Sequence, residues 1–395
     1  MAVIFSRVRS RFPAVAGYWP TLVAIVGYLA LAALYLRSAD WDPTWFVHFK
    51  SDHRITQHYG GAAAGLWVRS NDVHDGISYY AIARDPFNLP LLREILNAPI
   101  TRYRRIVYPV LVHALSFGQP GLVAPLLLLV NLLATIASGV LLQRLLAQWG
   151  RAPGWALAYY VHPGLVFSFL YDLPTALAIL CMLLGLWWYQ RGRHWQAALS
   201  ISLAVLTWEV IAAPLAIGIV AAALVVQPLR LPRSRIWVLA LPLAVAAVWQ
   251  VALHQLFPGH LTAYEVAGNF TYPGVGWWQS FHYVAGMPFS LKVLFQASFL
   301  TLTALGCLLA LTRLLKRVDL MSVLATAQAS LLLVLNAGSN LLWPSELMRK
   351  SLGLWLFLFL GSVSADGRLL RWWVIGMAVV AILQFAWLPS LAVVP

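Results

Sequence analysis

Acidic residues are scarce in this chain: its 395 positions hold thirteen Asp and Glu against 27 Lys and Arg. Charged residues of both signs together make up only 10%, less than half of what a soluble domain carries to keep its surface in water. That excludes an ordinary soluble globular protein. Cysteine is nearly absent too, and Cys181 and Cys307 both sit inside apolar runs, which excludes a disulfide framework and a cysteine-based zinc site. No glycine-rich phosphate loop, Ser/His/Asp set or dinucleotide fingerprint occurs in a strand-to-helix setting. Internal repeats and low-complexity tracts are missing as well.

What is abundant is apolar residues, at 61% with a mean hydropathy of +0.76, so lipid must be the solvent for most of the chain. The first run, Trp19 to Leu36, follows Arg7, Arg9 and Arg11 in the manner of a signal peptide. Arg37, however, stands where cleavage after Ala39 needs a small residue, so the run is expected to remain as a first span. A crossing helix needs about 20 largely apolar residues. Charged or Pro/Gly-rich breaks mark off about eleven candidates: 19–36, 121–143, 154–170, 173–189, 195–208, 210–226, 236–256, 289–312, 320–336, 351–365 and 372–390. The short ones, 195–208 and 210–226, predict paired helices that meet within the membrane or tilt at its outer edge. The expected fold is a single all-α polytopic membrane domain over residues 1–395, with about eleven transmembrane helices.

Positive residues in short loops stay cytoplasmic. With the N-terminus inside, alternation over eleven spans gathers Arg144, Arg151, Arg191, Arg193, Arg230, Arg233, Arg235, Arg313, Lys316, Arg317, Arg368 and Arg371 on one face. The net charge of +14 is thereby accounted for by topology, and no nucleic-acid partner is expected. Most of the acids, including Asp40, Asp42, Asp52, Asp72, Asp75, Asp85, Glu94, Asp172, Glu209, Glu265 and Glu346, fall on the other side. Two longer segments lie there, 37–105 and 257–288, and loops of such length commonly carry function. Within the first, NDVHDGISYYAIARDPF (Asn71 to Phe87) combines three acids with an apolar face of Ile77, Tyr80, Ala81 and Ala83, which predicts a helix lying along the membrane surface.

That stretch, followed by RYRRIVYPVL at Arg102 to Leu111, resembles a pattern of bacterial membrane proteins in the GT-C glycosyltransferase superfamily. Their usual form is Tyr-Asp-Gly-x-x-Tyr-Tyr with Asp-Pro downstream, then Arg-Tyr-x-Arg-Ile-x-Tyr-Pro. A more distant likeness joins it to the mannosyltransferases of glycosylphosphatidylinositol and phosphatidylinositol-mannoside assembly. The resemblance runs from about Asp42 to Pro214. YDLPTALAI at Tyr171 to Ile179 and LTWEVIAAP at Leu206 to Pro214 occupy the places of two further family motifs. Trp208 stands where arginine is common, and the hairpin arginine and glutamate are lacking.

The resemblance implies an inverting transfer of a monosaccharide from a polyprenyl-phosphate carrier to a glycan, lipid or protein acceptor, at the periplasmic face of a bacterial cytoplasmic membrane. An acceptor hydroxyl needs a carboxylate to take its proton, an effect worth ~10²–10⁴ in rate, and Asp75 is the expected base. The plainer alternative is that Asp75, like Asp72, caps a helix start. The leaving phosphate calls for arginines; Arg105 and Arg102 are the first candidates and Arg349, beside Glu346 and Lys350, the next. Tyr79 is expected to brace the site, and Glu209 to hold an arginine. Asp172 is expected to line a cavity or to cap the helix after Pro174. Trp41, Trp45, Trp277 and Trp278 suit sugar stacking or, more plainly, interfacial anchoring. His48, His53 and His58 recur every five residues and share no helix face. Asp40 and Asp42 offer oxygens to a divalent ion, but arginines serve a monophosphate, so no metal or other cofactor is expected to be obligatory. Two rival readings stay open: a secondary transporter using Asp172 and Glu209, and a catalytically silent relative acting as a scaffold or lipid-binding protein.

Overall fold

The computed structural model describes residues 17–69, 74–224, 236–259, 269–316, 319–337, 341, 344–364 and 368–392. Asp72 and Glu265 lie outside the described residues. Nearly everything described is helix. The chain enters through α1 (Trp19–Arg37), where Pro20 suits a first turn that has no N–H partner to lose. A 3₁₀ turn at Pro43–Val47 follows, its start satisfied by Asp42, whose carboxylate accepts from the Thr44 N–H at 2.8 Å. A minimal parallel ladder, β1 (Phe49–Lys50) on β2 (Val68–Arg69), pairs Phe49 with Val68 and brackets α2 (Arg54–His58).

Four short helices come next: α3 (Gly76–Arg84), α4 (Leu89–Ile95), α5 (Pro99–Tyr103) and α6 (Val107–Ser116). The bundle then continues with α7 (Pro120–Gln148), α8 (Ala156–Tyr160), α9 (Pro163–Leu170), α10 (Thr175–Gln190), α11 (His194–Thr207), α12 (Ala212–Leu224) and α13 (Trp237–Leu256). It closes with α14 (Val275–Ala285), α15 (Leu291–Lys316), α16 (Leu320–Leu333), α17 (Pro344–Ser364) and α18 (Arg368–Ala392). Among the described residues four helices, α1, α7, α13 and α15, are long and apolar enough by length and composition to cross a membrane. These mark the chain as a helical membrane protein.

The described residues of the eleven apolar stretches are mainly helical, but 154–170 is not continuous. It breaks at Val161–His162, because Pro163 cannot donate to a helix arriving from α8. His162 instead opens α9 by accepting the Gly164 N–H on Nδ1 at 3.1 Å. The pair α10 and α11 is closely packed, α13 covers α11, and α16 packs on both α12 and α17. The buried apolar residues form one contiguous core that runs from α1 to α18.

Helix α3 corrects the expectation of a surface-lying helix. Residues Gly76 to Ala83 are all buried, including both faces of the helix. Helix α6, α7 and the Pro43–Val47 turn enclose it, with Tyr80 edge-on to Phe49 at 5.0 Å. The weak periodicity of ISYYAIA therefore marks a helix wrapped by protein rather than one resting on lipid.

Two glycines set where α9 touches its neighbours. A Cβ on Gly76 would collide with the Tyr171 carbonyl, and one on Gly164 would collide with the Met348 carbonyl. The first seats the start of α3 on the end of α9, and the second seats α17 on the beginning of α9. The space beside Gly76 is thus filled by backbone.

Candidate functional site

Asp75 immediately precedes α3 but does not cap it: no side-chain cap bond is made, and its own backbone is helical. Its carboxylate instead meets three arginines. Arg102, in the last turn of α5, pairs with Oδ1; Arg105 Nη1 lies 3.0 Å from Oδ2; Arg349 Nη2, from the first turns of α17, lies 3.7 Å from the same oxygen. The capping alternative fails because an ion pair with three guanidiniums is stronger than one bond to a free N–H.

Arg105 is almost fully engaged. Its Nε and Nη2 each donate at 2.8 Å to the two oxygens of Glu209, which opens a 3₁₀ turn after α11, and its Nη1 also donates to the Tyr79 hydroxyl at 2.7 Å. Arg349 is 3% exposed and is held by Glu346 one turn earlier, while Lys350 Nζ lies 3.2 Å from the same carboxylate. Arg104 turns away to Gln250 on α13 at 2.8 Å, and Trp249 donates to the Tyr103 carbonyl at 2.9 Å, so α13 fixes this segment from its other side.

The electrostatics follow from these contacts. Burial works to raise the Asp75 carboxyl, but Arg102, Arg105 and Arg349 together hold it well below the usual carboxylate range. Glu209 is likewise lowered, burial being outweighed by Arg105. Burial raises the Tyr79 phenol, against the pull of Arg105. In the cluster three carboxylates, Asp75, Glu209 and Glu346, face four cations, Arg102, Arg105, Arg349 and Lys350. Buried N–H groups also remain unused among the described residues: Nε and Nη1 of Arg349 and Nε of Arg102. An unmade hydrogen bond of this kind costs about 1–3 kcal/mol, and these N–H groups can donate to the acceptor oxygens of an anion. Asp75 keeps 22% of its side chain open to solvent while Arg349 lies beneath it.

The structure brings together Asp75, Tyr79, Arg102, Arg105, Glu209 and Arg349. Asp172 stays apart. It sits with φ +47° in the turn between α9 and α10, fully buried, and its carboxylate oxygens make no hydrogen bond among the described residues. Its polar neighbours are Asn131 and Tyr108, and burial pushes its carboxyl well above the usual range. It does not cap α10, whose cap position is Pro174. Of the tryptophans, Trp45 and Trp277 are buried in the core, while Trp41 and Trp278 are exposed. His48 packs under Tyr171 at 4.2 Å, and His53 caps α2 through Nδ1 at 3.2 Å. Among the described residues no group of three or more His, Cys, Asp or Glu is placed to hold a metal.

Sequence reasoning missed the three-ring cluster in which Tyr171 meets His48 at 4.2 Å and His74 at 4.0 Å while the two histidines meet edge-on at 5.6 Å, which fixes the residue before Asp75. It also missed Gly164. His162-Pro163-Gly164, a cap residue followed by proline and glycine, was the available signal for a helix start in close contact with another backbone.

In comparisons with known proteins no family model matches this sequence, and no curated protein and no solved structure matches it.

Proposed function

We propose that the chain is an inverting membrane glycosyltransferase that moves a monosaccharide from a polyprenyl-phosphate carrier to a glycan, lipid or protein acceptor at the periplasmic face of a bacterial cytoplasmic membrane. The observation that carries this reading is the cluster of arginines around Asp75, with buried N–H groups of Arg349 and Arg102 that have no acceptor among the described residues. The GT-C resemblance of the Asp75 and Arg102–Tyr108 motifs points the same way, and the placing of residues 37–105 outside the membrane is part of this proposal.

In the reaction the acceptor oxygen attacks the anomeric carbon from the side opposite the phosphate. Its proton passes to Asp75, while the bond between the anomeric carbon and the phosphate oxygen breaks and the electron pair leaves with the phosphate. The leaving group gains a negative charge as it departs, and guanidinium donors aimed at it stabilise that change; loss of one such donor typically costs ~10²–10³ in turnover. Arg105, already bound by Glu209 and Tyr79, serves as the fixed wall of the site, and Arg349 and Arg102 as the phosphate ligands. No step requires a metal.

The transporter reading draws support only from the unpartnered Asp172, since Glu209 is committed to Arg105. The test is to offer purified protein in lipid nanodiscs a panel of radiolabelled short-chain polyprenyl-phosphate hexoses, and to compare lipid extracts of a deletion strain with its parent. Transfer or accumulation of an unused carrier-linked sugar is the expected result. Unchanged extracts together with no turnover of any donor would remove the reading.

A further inference from the structure

A carboxylate that must accept a proton during transfer is neutralised by three guanidiniums, and its partners are not equivalent. Arg105 is immobilised by the Glu209 fork and the Tyr79 hydroxyl. Arg349 is bound loosely to Asp75, at 3.7 Å and beyond hydrogen-bond reach, and carries two buried N–H groups with no acceptor among the described residues. Arg102 pairs with Oδ1 but has its buried Nε unused and only a long 3.4 Å contact to Asn97 on Nη2. Asp75 thus has one partner that cannot leave and two with spare donors for another anion.

We propose that Arg349 and Arg102 are exchangeable partners of Asp75, which clamp the carboxylate as the structure shows and turn to the phosphate of the lipid-linked sugar when it binds, so that the donor itself makes the base available. This rests on the glycosyltransferase reading of the site. Guanidinium bonds to phosphate are charge-assisted and strong. Glu346 keeps hold of Arg349 during the turn, so the guanidinium pivots rather than detaches. The groups facing Asp75 are then Tyr79 from α3, Arg105 from the segment after α5, Glu209 behind Arg105, and Glu346 and Lys350 from α17. With two of three cations withdrawn and a phosphate added nearby, the carboxylate binds a proton more readily. After transfer Asp75 carries the acceptor's proton; departure of the lipid phosphate returns Arg349 and Arg102, and the proton leaves to water. An acceptor that arrives first meets a carboxylate unable to activate it, which imposes donor-first order.

The exchange is tested by labelling with a hydrophobic carbodiimide, which reacts with a carboxyl only when it is protonated. The full chain in nanodiscs at pH 6 is treated with and without decyl phosphate, and adducts are mapped by mass spectrometry. Adducts at Asp75 are expected to rise at least tenfold with decyl phosphate and not at all with decanol. Arg349→Gln should raise labelling of the empty protein and blunt the response. Binding of decyl phosphate, measured by calorimetry, with labelling at Asp75 unchanged would overturn the exchange while leaving the glycosyltransferase reading intact. Normal sugar transfer by Asp75→Asn would instead remove the reading itself, whatever the labelling shows. If Arg349→Gln does not fold, the decyl phosphate and decanol comparison on the parent decides alone.

Discussion

Glu209 holds Arg105 through two hydrogen bonds of 2.8 Å, one from Nε and one from Nη2, so the guanidinium is fixed in plane and orientation before any substrate arrives. The pair joins two segments 104 residues apart, and it leaves only Nη1 to face Asp75 and Tyr79.

Removing one partner of this pair strands the other charge in a buried site. Arg105→Ala is expected to destabilise the protein by about 3–5 kcal/mol, the usual cost of breaking a buried pair from one side, read as a lowered melting temperature in detergent. Arg105→Ala with Glu209→Ala should cost less than the two single changes added together. Additive losses would mean that the two residues act independently.

Asp75→Asn keeps the size and the acceptor oxygen but cannot serve as a base. Transfer should fall by at least ~10². Because the carboxyl is held below its unfolded value, it contributes stability that is fully present above about pH 4 and is lost as pH falls through the lower folded value. The parent should therefore lose more stability than the variant between about pH 4 and pH 2. Equal acid sensitivity of the two would show that the three arginines do not act on this carboxylate.

Asp172 has the opposite sign. Burial raises its carboxyl, so above about pH 4 the unfolded chain releases a proton that the folded chain keeps. The penalty grows by about 1.4 kcal/mol per pH unit until the folded value is reached. Asp172→Asn, neutral and of equal size, should match the parent near pH 4 and exceed it in stability near pH 7. A variant less stable at neutral pH would point to a charged Asp172 with a bound counter-ion.

Gly164→Ala places a methyl group against the Met348 carbonyl. Overpacking of this kind costs about 1–3 kcal/mol, and the relief available is a shift of α17, which carries Arg349. Turnover is expected to fall severalfold with a weaker affinity for decyl phosphate. A stability loss with unchanged phosphate affinity would place the phosphate away from Arg349.

Much of the helical content was legible because each element needs only a local signal: an apolar run, a proline at the first turn, a basic residue at the end. The break before Pro163 was locally encoded too, and the eye passes over it only because the run stays apolar on both sides. The surroundings of α3 were not legible. Ile77, Tyr80 and Ala81 give one apolar stripe, and nothing in that spacing says that the other face, with Ser78, Tyr79 and Ile82, is covered as well. At the site, residue types and motif positions pointed to Asp75 and the arginines, but the division of labour among them depends on distant partners. Glu209 claims Arg105 and leaves Arg349 with unused donors. No spacing rule relates residues so far apart in the chain.

Helix α9 touches α17 at its first turn through Gly164 and supports α3 at its end through Tyr171. It therefore acts as a spacer of fixed length between the mounting of Arg349 and the mounting of Asp75, with the long arginine side chain closing the remaining gap. Inserting one residue into α9 would lengthen it by about 1.5 Å and turn one mounting by about 100° relative to the other. Homologous chains with the same polar residues but an α9 of different length would hold them at another separation, and a leaving group of another size would fit between.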